Sequence, residues 1–106
     1  MFGFLKRQLR REHFKLVVMN SYAAQYLAAF HELVDGEAVV RQSNEIHSRW
    51  RPGDTLTGDD ADASLRLNRT LRSAWDQLPR SLKPKPFDDQ FAPLGGWKAA
   101  FKRYEL

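Results

Sequence analysis

Three histidines (His13, His31 and His47), six serines and the carboxylates Asp54, Asp59, Asp60 and Asp62 are the side chains here whose chemistry could serve catalysis or metal binding. His31 and Asp35 stand one helical turn apart and would supply two ligands of a site that needs a third from elsewhere. A capping or solvated histidine near a helix C-terminus explains the same pair. The acidic run lacks the ligand order, central glycine and terminal glutamate of a calcium loop, so its carboxylates read as loop and cap residues. No serine sits in a nucleophile elbow, and there is no glycine-rich phosphate loop. Without cysteine there is neither a disulfide framework nor a thiolate site. The expectation is a protein that catalyses no reaction, holds no cofactor and takes no small-molecule substrate.

Charge is the more informative signal. Residues 1–15 hold Lys6, Arg7, Arg10, Arg11 and Lys15 against Glu12, which accounts for the whole formal net charge of +4. On a helix, Phe2, Leu5 and Leu9 lie opposite Lys6, Arg7 and Arg10, the pattern of a segment resting on an anionic membrane, where each basic residue contributes about 1 kcal/mol. Glu12 falls within the apolar stripe and opposes insertion. The plainer expectation is that residues 2–13 extend a central helix and cover neighbouring core, leaving a solvated basic back.

A second basic line, Arg66, Arg69 and Arg72, has the spacing of one helix side and could lie against phosphates. Asp62 is placed to pair with Arg66 and Asp76 with Arg72, which leaves Arg69 without a local partner. A third surface begins at Lys83-Pro84-Lys85-Pro86-Phe87, whose prolines favour an extended conformation. It continues with Trp97, Phe101 and Tyr104 at i, i+4 and i+7, residue types enriched at binding hot spots but equally suited to completing a core.

The elements that must position these residues follow from periodicity. Phe2, Leu5, Leu9, Leu16, Ala23, Leu27, Phe30 and Val34 keep one helical phase, and Phe14, Val18, Tyr22, Ala29 and Leu33 form a second line. One central helix over 2–34, covered on two faces in its latter half, is predicted. Asp35-Gly36 would end it, with glycine in the left-handed C′ conformation. The same pair could close a hairpin, but the Glu37/Arg41 and Glu45/Arg49 spacings favour a second helix over 37–49. A loop over 51–60 leads to a third helix, 60–78, capped by Asp59 or Asp60, lined by Leu67, Leu71, Ala74, Trp75 and Leu78, and stopped by Pro79. Residues 79–96, with four prolines and two glycines, are expected to lack regular structure. They would strap across the helices through Leu82, Phe87, Phe91 and Leu94, or be held out for a partner. A short amphipathic helix, 97–105, ends the sequence.

The chain is therefore expected to be one all-α domain, a three-helix bundle-like fold with a long central N-terminal helix, a Pro-rich strap and a short C-terminal helix. No secretory signal is evident, and the longest uncharged run, Leu16 to His31, is short of a membrane span. A cytoplasmic location is expected, peripheral to a membrane if the basic helix docks there. The function expected is binding or adaptor work through protein contacts, self-association being its simplest form. Its contact residues would be Lys6, Arg7, Arg10, Arg11, Lys15, Arg69, Phe87, Trp97, Phe101 and Tyr104. Nucleic-acid binding through the basic N-terminal helix and the Arg66/Arg69/Arg72 face, or docking on an anionic membrane surface, are the alternatives.

Overall fold

The computed structural model describes residues 2–106, the Phe2 side chain excepted. Helices α1 (Phe2–Leu27), α2 (Gly36–Arg49) and α3 (Gly58–Asp76) pack on one another, and a one-turn α4 (Phe87–Gln90) and a terminal α5 (Gly96–Arg103) close over them. The fold is all-α and bundle-like, with α1 at its centre. Gly36 lies on Ala28 while Trp50 packs on Phe14, so α2 runs antiparallel to α1. Asn20 meets Ser64 and Asn68 while Tyr26 meets Trp75, so α3 runs parallel to it. Among the described residues no helix is long and apolar enough to cross a membrane.

Two apolar clusters fill the interior. One joins Met19, Ala23, Ala24 and Leu27 of α1 to Leu67, Leu71, Ala74 and Trp75 of α3, and is closed by Phe87 and Phe91. The other gathers Val17, Ile46, Trp50 and Ala100 around Phe14, whose ring lies within 6.3 Å of Trp50, Trp97, Phe101 and Tyr104. A polar chain, buried at Asn20, Ser64 and Asn68, runs between α1 and α3 and out to the surface at α4. Asn20 donates to the Ser64 carbonyl and accepts from Asn68, each at 2.9 Å. Arg72 then donates to Asn68 and to Asp88, each at 2.7 Å, with its guanidinium over the Phe87 ring. Buried amides are costly unless paired, and here every side-chain partner is a neighbour in the chain of bonds.

Several boundaries differ from the sequence reading, each for a physical reason. Helix α1 stops at Leu27, not residue 34. Turns then carry Phe30 and Val34 back onto the core, so their spacing keeps the helical phase although the backbone does not. Asp35 is the N-cap of α2, accepting from the Ala38 amide at 3.1 Å, and Gly36 is that helix's first residue. A Cβ at Gly36 would stand 2.5 Å from the Ala28 carbonyl oxygen, so glycine serves close approach here and not a left-handed turn.

Thr57, not Asp59 or Asp60, caps α3, its hydroxyl accepting from the Asp60 amide at 3.2 Å. Asp60 is left free to pair with Arg49 at 2.8 Å, which lowers the pKa of its carboxyl through that hydrogen bond. The local pairs Glu45/Arg49 and Asp76/Arg72 give way to Arg49–Asp60 and Arg72–Asp88, which tie different elements together. The strap is more regular than expected, with a 3₁₀ turn at Arg80–Leu82 followed by α4. Phe87 and Phe91 anchor it in the core, whereas Leu82 and Leu94 stay exposed.

Candidate binding surface at the basic end

The first two turns of α1 project past the body. Trp50, just after α2, reaches α1 at Phe14, and the segment leading into α3 reaches it at His13, so those elements cover nothing before that level. Phe4, Leu5 and Leu9 are accordingly 69%, 59% and 42% exposed. The expectation that this segment covers core is corrected: Leu5 and Leu9 on one side, and Phe4 about 100° round the helix from Leu5 on the Arg7 side, all face solvent, beside exposed Lys6 and Arg7 and half-buried Arg10.

Helix α5 packs at the base of this projection, on Phe14, and its outer side lies beside Arg7 and Arg11. Gly95 and Gly96, both at positive φ, turn the chain into it. Arg7, Arg11, Lys98 and Lys102 then line one groove of about 890 Å³, with Phe101, Ala99 and Leu106 among its apolar walls. Arg11 is fixed there, donating to the Leu106 carbonyl at 2.7 Å and stacking 5.1 Å from the Phe101 ring centroid. The Lys15 ammonium sits 5.4 Å from the Trp97 ring, and the Trp97 indole donates to the Asp88 carbonyl at 2.9 Å. Counting residues 1–15 with 96–106, this end carries eight cationic side chains against two carboxylates. The rest of the chain is slightly acidic.

The structure thus brings Arg7, Arg11 and Lys15 together with Trp97 and Phe101, two surfaces that are separate in the sequence. Trp97 and Phe101 are half-buried, holding α5 to the second cluster, and Tyr104 is 46% exposed beside Phe14. Phe87 is buried between Trp75 and Phe91. Arg66 and Arg69 are exposed on α3, but Arg72 is drawn into the polar chain, so the three do not act as one open face. His31 and Asp35 border an open groove along α2, with Asp35 committed to its cap.

Lys98, Lys102 and the exposed Phe4 are the parts of this surface that sequence reasoning missed. The lysine pair has the i,i+4 spacing of one helix side, but only the fold shows that this side meets α1.

His13 supports the base of the projection. Its Nδ1 accepts from the Leu56 amide at 2.8 Å and so pins the 51–57 loop to α1. Burial lowers its pKa below the ordinary 6.5, against an opposing pull from Glu12. The unfolded chain therefore binds a proton at a higher pH than the folded one, so stability is complete above 6.5 and declines as pH falls below it. Denaturant midpoints measured across that window should drop on acidification, and a His13→Gln variant should show a flatter dependence. An unchanged slope in that variant would remove the assignment.

Comparison with protein-family models, with curated proteins and with solved structures finds no match. The functional reading accordingly rests on the geometry of this chain alone.

Proposed function

We propose that this chain is a binding or adaptor protein, with no reaction of its own, that docks an acidic and partly apolar protein surface through its basic end. The observation that carries this reading is the pairing of exposed Phe4, Leu5 and Leu9 with Lys6 and Arg7 on the projecting start of α1, beside Lys98 and Lys102 of α5. An exposed apolar side set among charges is characteristic of interaction surfaces, because such area gains from removal from water. Phosphate binding alone would use the cations and leave the leucines and phenylalanine without a role.

The test uses the full chain immobilised at equal density with a Leu5→Asp, Lys6→Glu variant, exposed in parallel to a cell lysate, to the purified chain itself, to anionic vesicles and to mixed-sequence DNA at two salt concentrations. Protein partners retained by the native chain and lost by the variant are the expected result. Equal retention by both chains, or binding confined to vesicles or DNA, would overturn it.

A further inference from the structure

We infer that the open groove beside α2 receives the basic end of a second copy of this chain, so that molecules join head to tail. The inference rests on the proposed docking role of that end and names its partner. The groove lies between the 28–35 turn and α2, has a volume of about 1310 Å³, and has Ala28, Leu33 and Val40 among its apolar lining. Four carboxylates border it, Glu32, Asp35, Glu37 and Glu45, against Arg41 and His31. It is therefore an apolar trough with an acidic rim.

The projecting end of α1 has the complementary character, with apolar Phe4, Leu5 and Leu9 beside Lys6, Arg7 and Arg10. An amphipathic helix laid into a groove is a recurrent recognition mode, in which apolar anchors supply affinity and rim charges supply register and approach. A bilayer or a nucleic acid would account for the basic end and leave the acidic trough unused. A second copy accounts for both.

The two surfaces cannot meet within one molecule. The basic end is the start of one continuous 26-residue helix, and the groove runs from Ala28, just after that helix's last turn, along α2 to Ser48, so α1 would have to break for its own first turns to lie in it. Pairing them between copies is heterologous, since each docked pair still offers one free end and one free groove. Assembly then continues as an open chain or closes as a ring.

The test follows the purified full chain by sedimentation velocity over a concentration series at low and high salt. Association that grows with concentration and weakens with salt is expected. A basic-end variant, Lys6→Glu with Arg7→Glu, and a groove variant, Glu32→Lys with Glu45→Lys, should each associate roughly tenfold more weakly or not at all. Mixed in equal amounts they should associate again, because the intact basic end of one meets the intact groove of the other. That recovery also shows that both variants are folded.

A chain that stays monomeric at every concentration, variants that associate as the native chain does, or a mixture that recovers nothing would each overturn the inference. Should the native chain be monomeric while its basic end still retains other proteins from the lysate, the self-docking fails and the docking role stands. Should neither occur, both fail.

Discussion

Replacing Phe14 by alanine should cost about 3–5 kcal/mol of stability, the usual range for deleting a buried aromatic ring. Set against total stabilities of about 5–15 kcal/mol for a native protein, this is a large fraction. Phe14 is 2% exposed and its ring lies within 6.3 Å of Trp50, Trp97, Phe101 and Tyr104. Both the end of α2 and the aromatic side of α5 converge on it. The loss should therefore be uneven, with α5 released before α1, α2 and α3 separate. Urea unfolding followed by tryptophan fluorescence, with amide exchange on Ala100 and Phe101, would report both effects. A cost below about 1 kcal/mol would mean that α5 is held mainly by the Arg11 and Trp97 hydrogen bonds.

Two glycine-to-alanine substitutions at equivalent helix positions should have opposite signs. Gly36 and Gly58 are the first residues of α2 and α3. A Cβ at Gly36 would lie 2.5 Å from the Ala28 carbonyl oxygen and 3.0 Å from its Cα, both backbone atoms that cannot swing aside. The start of α2 and the turn after α1 would have to part, at a cost of about 1–3 kcal/mol. At Gly58 a Cβ meets nothing within 4 Å, and alanine should be neutral or stabilising by up to about 1 kcal/mol through reduced freedom of the unfolded chain. Thermal midpoints of the two single variants decide it. A Gly36→Ala protein as stable as the native one would show that the α1–α2 junction is plastic.

How far the fold could be read from residue order depended on whether the controlling interaction was local. The third helix was legible because Leu67, Leu71, Ala74, Trp75 and Leu78 hold one face and Pro79 forbids continuation. The end of α1 was not, because Phe30 and Val34 keep their phase through a turned backbone. The turn that follows brings Gly36 onto Ala28, a contact that periodicity does not record. The basic terminus was plain in the first fifteen residues. Its enlargement by Lys98 and Lys102 was invisible, since it depends on α5 folding back across the length of the chain. The acidic groove had a local trace, four carboxylates against Arg41 between residues 32 and 45, but it vanished when the remainder of the chain was summed as neutral.

The parallel course of α1 and α3 bears on how the molecule meets anything charged. Aligned peptide units give each helix a positive N-terminal and a negative C-terminal pole, and the two longest helices, of 26 and 19 residues, point their positive poles toward the same end. The antiparallel α2, of 14 residues, offsets only part of that sum. At the tip of α3 Asp59, Asp60 and Asp62, of which Asp60 pairs with Arg49, outweigh the pole of about half a charge, so the backbone adds to the polarity of the side chains mainly through α1. Such a body in an external field acquires a preferred heading. Within a Debye length of about 8 Å at physiological salt, an approaching anionic surface would rotate it tip-first before any contact forms, so that such encounters begin with the basic end presented.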